Sequence, residues 1–111
     1  MASAPPHSAS AAQITIRRNS PDDIQLRQIV VKLDGKQVAE LMYGGTATIP
    51  VTPGRHKLRV DNTWNWKTLD LHIAPGDDLK FLTINRPGRL TWFLIGTLGA
   101  GPIYVSIQPD P

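Results

Sequence analysis

The amino-acid sequence predicts an all-β protein, built as a single antiparallel β-sandwich of about seven or eight strands. Three observations predict this fold. Ten prolines and nine glycines interrupt the 111 residues at short intervals, which leaves few windows long enough for a helix. The segments between them alternate apolar and polar residues, which is the period of a strand with one buried face. Turn dipeptides separate these segments at spacings of about 8 to 12 residues, which is typical of sandwiches.

The composition suits one domain and excludes several kinds of site. Residues 1–12 are mostly Ala, Ser and Pro, so we expect a lead-in without regular structure and without a signal peptide, followed by the sandwich over residues 13–109. Because the chain has no cysteine, disulfides, thiolate zinc sites and cysteine nucleophiles are excluded. The net charge is only +3 and the twelve Lys and Arg residues are scattered, so we expect no nucleic-acid partner.

The clearest local signal is the dipeptide Asp34-Gly35, which lies between two alternating segments. Residues 29–33 point Ile, Val and Leu side chains to one face, and residues 36–42 form the return strand. A two-residue hairpin turn needs positive φ at both central positions, and Asp and Gly tolerate it. We therefore predict a β-hairpin here. Its first strand is expected to be covered on both faces, because Val30 on the second face is also apolar.

Two further turns are predicted at Pro-Gly dipeptides, Pro53-Gly54 and Pro75-Gly76. Pro fixes φ at the second position of a type II turn, and Gly accepts the positive φ of the third position. Strands are predicted on either side of each turn, at residues 46–51, 56–60, 68–73 and 79–84. We expect the two turns to close two hairpins at the same end of the sandwich.

Residues 90–107 carry no charged side chain and follow a third Pro-Gly dipeptide, Pro87-Gly88. About 18 uncharged residues is the lower limit for a membrane span, and Arg86 and Arg89 flank the start of the run as a cytoplasmic anchor would. The run also contains three glycines and a proline, which disfavour the helix that a span requires.

The other interpretation of this run is two strands, residues 90–95 and 103–108, joined by a glycine-rich loop. In the second strand, Ile103, Val105 and Ile107 alternate with polar or amphipathic residues, as an antiparallel strand requires and a span does not. The first strand has apolar residues on both faces. We favour the two strands and keep the membrane segment as the alternative.

The segment from Ile29 to Val60 resembles the small β-sandwich domains of the PEGA type. The shared outline is a strand, a DG turn with a short return strand, a glycine break, and then the pattern xPGxHxLxV. The matching residues are Asp34, Gly35, Gly44, Pro53, Gly54, His56, Leu58 and Val60. The Pro-Glu-Gly-Ala signature itself is absent. The resemblance implies an immunoglobulin-like accessory module of a bacterial protein, and it carries over no catalytic residue.

The sequence offers no set of catalytic or metal-binding residues, so we expect no enzymatic activity, no metal and no cofactor. His56 shares the apolar face of its strand, where a ring nitrogen can bond a backbone carbonyl. His72 lies beside Asp70 on a charged face, and an Asp-His pair can act as a general base, but no nucleophile accompanies it. Asp22-Asp23 and Asp77-Asp78 follow turn residues and lack the alternating oxygen ligands of a calcium site.

Trp64 and Trp66 are the candidate ligand-binding residues. They share the parity of Thr68 and Asp70, so a regular strand would place both indoles on the outer face. Paired exposed indoles occur in sugar-stacking platforms and at membrane interfaces. The structural alternative is that residues 61–66 form a turn or bulge that folds one Trp onto the core.

These observations together predict a non-catalytic accessory or protein-interaction module. Its expected partner is another protein or a component of the cell envelope, and its expected location is the bacterial cytoplasm or envelope. Two alternatives stay open: a carbohydrate-binding module that uses Trp64 and Trp66, and a small domain tethered to a membrane through residues 90–107.

Overall fold

The computed structural model describes residues 11–88, 90–99 and 101–110, and it shows a β-sandwich. Two four-stranded sheets face each other, which confirms the predicted fold class and strand number. The strands are β1 (Ala12–Arg17), β2 (Ile29–Leu33), β3 (Lys36–Leu41), β4 (Thr46–Val51), β5 (Gly54–Asp61), β6 (Trp66–Ile73), β7 (Asp78–Pro87) and β8 (Ile103–Pro109). One helix, α1 (Thr91–Leu98), lies between β7 and β8. Of the predicted lead-in, residues 1–10 lie outside the described residues.

The strand order is β4-β1-β7-β8 in the first sheet and β3-β2-β5-β6 in the second. Neighbouring strands are antiparallel except β1 and β7, which run parallel, with Gln13 opposite Asp78 and Arg17 opposite Leu82. The sequence patterns above left β1 unassigned. It occupies a central position in its sheet, and its Ile14 is fully buried.

The core lies between the two sheets and is formed by alternate residues of the strands. The predicted inward-facing residues of β2, β5 and β8 are confirmed: most are buried, and Leu33 and Ile107 are half-buried against the core. The fully buried members on these strands are Ile29, Val31, Leu58, Val60 and Val105. Each such side chain contributes about 1.5–3 kcal/mol relative to an exposed position, so the sandwich depends on this alternation.

The predicted hairpin at Asp34-Gly35 is confirmed. Asp34 has φ 53° and Gly35 has φ 85°, which are the two positive values that a type I′ turn requires. The turn pairs Leu33 with Lys36, so β2 and β3 are neighbours in the second sheet.

The two Pro-Gly turns have the predicted backbone but not the predicted role. Gly54 has φ 119° and Gly76 has φ 79°, as the turn chemistry requires. The prediction that they close hairpins is wrong, because each turn leads from a strand of one sheet to a strand of the other. The turns do lie at the same end of the sandwich, since Val51 and Asp78 both lie beside the start of β1. Local turn chemistry specifies backbone angles but not the sheet that the next strand joins.

Residues 90–95 do not form the predicted strand. The chain leaves β7 at Pro87 and forms α1, which ends where Gly99 adopts φ 78° and its N–H bonds the Ile95 carbonyl at 2.9 Å. A short apolar run without alternation fits a helix and a strand equally well, so its pattern could not distinguish them.

The second predicted strand of this run is confirmed as β8. It pairs with β7, and Ile103 and Val105 are buried while Tyr104 is exposed. Across the residues that the structure describes, none of the helical structure is both long enough and apolar enough for a membrane crossing.

Candidate interaction surface around the helix α1

The helix α1 is fixed to the sandwich at its first residue. Thr91 is fully buried, and its hydroxyl accepts a hydrogen bond from the Gly88 N–H (2.6 Å) and donates one to the Pro102 carbonyl (2.5 Å). These bonds join the start of the helix to both ends of the segment that links β7 and β8. Gly101 permits this close approach, because a Cβ there would lie 2.7 Å from the Thr91 carbonyl oxygen.

Beyond Thr91, the helix presents large apolar side chains to solvent. Four residues of α1 and of the position before it are more than half exposed: Leu90 at 63%, Trp92 at 61%, Phe93 at 66% and Leu98 at 76%. The helix contains no charged residue. Soluble monomers seldom expose large apolar side chains in contiguous patches, and such patches usually mark a contact with another molecule.

A groove of about 290 Å³ lies beside the helix. Its walls come from three parts of the chain: the end of α1 with the start of β8, the turn between β5 and β6, and the connection between β1 and β2. The lining residues are Leu26, Arg27, Trp64, Ile95, Gly99, Gly101 and Ile103. Arg27 is the one charged residue among them. We call the exposed apolar residues of the helix, of the groove and of the start of β8 the α1 surface, which comprises Leu26, Trp64, Leu90, Trp92, Phe93, Leu98 and Tyr104.

A buried ion pair holds the wall of the groove that is formed by the connection between β1 and β2. Arg18 and Asp23 are both buried and form two parallel bonds, Nε to Oδ2 at 3.0 Å and Nη2 to Oδ1 at 3.2 Å. The remaining guanidinium protons are donated to three backbone carbonyls, those of Leu26, Arg27 and Leu41. Burying a charge is costly unless it is paired and fully hydrogen-bonded, and this pair meets that condition while it fixes the backbone at Leu26 and Arg27.

A chain of asparagines extends the same network to the other two walls. Asn85 donates to the Leu26 carbonyl at 2.9 Å and accepts from the Asn62 amide at 3.1 Å. Asn62 also donates to the Ile103 carbonyl at 2.8 Å and accepts from the backbone N–H of Trp64 at 2.9 Å. One connected set of buried polar groups therefore positions the backbone of every wall of the groove.

Strained backbone conformations occur around this network. The backbone angle φ is 64° at Gln25, 64° at Arg27 and 74° at Thr63. These values lie in the left-handed region, which residues other than glycine seldom adopt. Each costs about 1–3 kcal/mol and persists only where surrounding contacts impose it. Here the Asp23 carboxylate accepts the Gln25 N–H at 2.7 Å, and Arg18 binds the Arg27 carbonyl. The groove walls are therefore held in a shape that the local sequence alone would not favour.

The structure separates the two candidate tryptophans. Both are about half exposed. Trp66 begins β6 on the outer face, where the Arg59 guanidinium lies 4.6 Å from its ring centroid. Trp64 belongs to the turn before β6, in which the Asn62 N–H bonds the Asn65 carbonyl, and its indole lines the groove. The two indoles thus lie in different surroundings, and the regular strand back to Trp64 is replaced by a turn.

A larger cavity lies elsewhere, at the end of the sandwich that carries the Pro-Gly turns. It has a volume of about 770 Å³ and is lined by Asp34, Arg55, His56, Lys57, Asp70, Leu71 and His72. The predicted bond from His56 to a backbone carbonyl is confirmed, since Nε2 lies 2.7 Å from the Thr52 oxygen. Nδ1 lies 2.6 Å from Oδ2 of Asp34, a partner that the sequence did not reveal.

Two ion pairs form in this cavity, His56 with Asp34 and Lys57 with Asp70. The Asp34 hydrogen bond raises the pKa of His56, and the same bond lowers the pKa of Asp34. Asp70 pairs with Lys57 at 3.5 Å and makes no hydrogen bond to His72 in the described part of the chain. The Asp-His arrangement that the sequence suggested is thus replaced by a Lys-Asp pair on the exposed face.

The residues of the buried network were missed by the sequence interpretation. Asp23 was assigned to a turn, and the two asparagines were not singled out. One signal could have found three of the four. Each continues the buried parity of a strand just beyond its buried residues: Arg18 after Ile14 and Ile16, Asn62 after Leu58 and Val60, and Asn85 after Phe81 and Thr83. A polar residue at such a position must find buried partners.

The fold and this surface define a class of protein, a small all-β sandwich with an apolar helix exposed at one end. Comparison with known proteins finds no matching family model, no matching curated protein and no matching solved structure.

Proposed function

We propose that this chain is a non-catalytic interaction module that binds its partner through the α1 surface. The observation that carries the proposal is the exposure of Trp92, Phe93 and Leu98 on a helix whose only buried residue is Thr91. The sandwich core is formed by the strands and does not include these three side chains. Contact with another molecule would explain why these three apolar side chains are exposed on an uncharged helix.

The support beneath the surface agrees with a binding role. A contact surface that is ordered before it binds loses less conformational entropy on association. The Arg18–Asp23 pair and the asparagines bind the backbone on each side of the groove. Such a network favours a preformed surface over a mobile one.

The resemblance to PEGA-type domains supports the same class of function, because those domains are accessory modules. A partner protein or an envelope component in bacteria stays a prediction of that resemblance. A carbohydrate platform on Trp64 and Trp66 also stays a prediction. In that alternative the two indoles would act separately, since Trp64 lines the groove and Trp66 lies beside Arg59 on the outer face of β6.

Site-specific photocrosslinking in cells that produce the chain tests the proposal. A photoreactive phenylalanine analogue at Phe93 is compared with the same analogue at Val38, which is exposed on β3. We expect adducts with a defined protein or lipid at Phe93 and none of these at Val38. Equal labelling at both positions, or none at Phe93, would show that the α1 surface is not a binding surface.

A further inference from the structure

We propose that the partner of the α1 surface is an anionic lipid bilayer, on which the module lies without crossing it. This inference rests on the proposed function and names its partner. Aromatic insertion from α1 supplies the apolar contact, and two arginines beside the helix supply the contact with lipid phosphates.

The side chains of α1 suit the boundary between headgroups and acyl chains. Trp and Tyr concentrate at membrane interfaces, where an apolar ring and a polar edge meet both environments. Here Trp92 and Phe93 project from the helix, and Tyr104 lies exposed at the start of β8. The helix spans eight residues, which is far below the roughly 20 needed to cross a bilayer, so its exposed aromatic residues can contact the bilayer surface only.

The charges around the helix are complementary to an anionic surface. Arg27 lies in the groove wall, where Nε donates to the Asn62 carbonyl at 3.1 Å and Nη2 binds the Thr63 hydroxyl. These bonds hold its guanidinium beside apolar Leu26 and Trp64, and Nη1 has no hydrogen bond to any residue that the structure describes. A guanidinium fixed in this way can bind a phosphate oxygen.

Arg86 provides the second positive charge, on the side of the first sheet. It lies opposite the exposed Tyr104 across the β7–β8 pair, and its side chain is 42% exposed. Its nearest acidic group is Asp22, at 3.9 Å, which is a weak contact. One basic residue thus lies in the groove beside α1 and a second lies on β7 shortly before the helix. Apolar and cationic contacts together are the combination that stable peripheral binding requires.

Vesicle flotation with the full chain tests this inference. Vesicles of phosphatidylcholine alone are compared with vesicles that also contain phosphatidylglycerol, at low and high salt. We expect binding to the anionic vesicles and its loss at high salt, because exposed charges are screened. The W92S/F93S variant should bind at least about tenfold more weakly, since each side chain removed loses its apolar burial.

The arginines are tested with a charge-matched control. Each basic residue near an anionic membrane is worth about a fivefold change in affinity, so R27Q/R86Q should bind about 25-fold more weakly. The K36Q/R55Q variant removes the same charge at the opposite end of the sandwich and should bind as the parent does. If circular dichroism shows that R27Q/R86Q does not fold, the contribution of the arginines is tested with R86Q alone. The salt dependence of vesicle binding by the parent is the second measurement.

Several results would overturn the inference. They are absence of flotation with anionic vesicles, equal binding to neutral vesicles, and equal loss of binding in both charge variants. A specific protein adduct at Phe93 without flotation would leave the proposed interaction module intact and reject the lipid partner. Flotation that depends on Trp92 and Phe93 supports both.

Discussion

The imidazole of His56 lies between two hydrogen-bond acceptors, with Nδ1 2.6 Å from Oδ2 of Asp34 and Nε2 2.7 Å from the Thr52 carbonyl oxygen. Neither a carboxylate nor a carbonyl can donate a proton, so an imidazolium with a proton on each ring nitrogen satisfies both contacts. The imidazolium form is therefore the form that fits this site. Through these two contacts, the His56 side chain joins the β2–β3 hairpin to the turn between β4 and β5.

This relationship predicts a pH-dependent stability. The hydrogen bond to Asp34 and the Thr52 carbonyl raise the pKa of His56 against the opposing effect of burial. A raised folded pKa stabilises the protein fully below the unfolded value of about 6.5, and this contribution is lost as the pH rises through the folded pKa. The bonds from His56 and from the Lys57 N–H lower the pKa of Asp34, so its contribution is present above about pH 4 and is lost as the pH falls through the folded value.

Urea unfolding between pH 4 and 9 measures the effect, as the difference between the parent and His56→Gln. We expect this difference to be largest between about pH 4 and 6.5 and to shrink at higher pH. Asp34→Asn is the matched control, because Asn keeps the positive φ of the turn and removes the charge. Parallel pH profiles for the parent and both variants would contradict the assignment of an imidazolium.

The buried ion pair makes a second prediction. Asp23→Ala leaves the Arg18 guanidinium uncompensated in the interior, and we expect a loss of about 3–5 kcal/mol in the free energy of unfolding. The R18M/D23A double variant removes both charges and should recover part of that loss. Asp70→Asn removes a carboxylate from the exposed Lys57 pair and should change stability by only about 0–1 kcal/mol. Similar losses in the free energy of unfolding for Asp23→Ala and Asp70→Asn would show that the buried pair matters no more to stability than the exposed pair.

Local chemistry explains which parts of the fold were predictable. The Asp34-Gly35 hairpin depends on two adjacent residues and two flanking segments, so the sequence contains all of its determinants. The Pro-Gly turns were predicted in backbone conformation but assigned to hairpins, because the choice of sheet depends on strand pairing over the whole chain. The run at 90–95 has no period that separates helix from strand, and the buried anchor Thr91 became recognisable only from its partners Gly88 and Pro102.

The candidate surface was less predictable than the fold for the same reason. Trp64 was singled out, but its groove is formed by segments distant in sequence, such as Leu26 and Ile103. The bond between Asp23 and the Asn85 N–H joins residues 62 positions apart, and no local pattern contains it. What a sequence does show is a polar side chain on a buried parity, as at Arg18, and this identifies a residue in need of partners without naming them.

The attachment of α1 predicts opposite effects for two similar substitutions. Gly101→Ala would place a Cβ 2.7 Å from the Thr91 carbonyl oxygen, so the helix must shift, and we expect a loss of about 1–3 kcal/mol. Gly96→Ala lies on the exposed helix with nothing within 4 Å of the added Cβ, and it should gain about 0.5–1 kcal/mol from helix propensity. Urea unfolding followed by tryptophan fluorescence measures both variants. A neutral Gly101→Ala would show that Thr91 does not hold the helix at this close distance.

The exposed aromatic residues of α1 should be dispensable for folding. Trp92 and Phe93 make little contact with the core, so W92S/F93S is expected to change the free energy of unfolding by no more than about 0.5 kcal/mol per site. Val105→Ala truncates a fully buried residue of β8 and, as a deletion of buried methyl groups, should cost about 1–3 kcal/mol. Thermal unfolding by circular dichroism compares the two variants with the parent. If W92S/F93S lowers the stability as much as Val105→Ala does, these two aromatic residues stabilise the fold. Their exposure would then no longer support a binding role for the α1 surface.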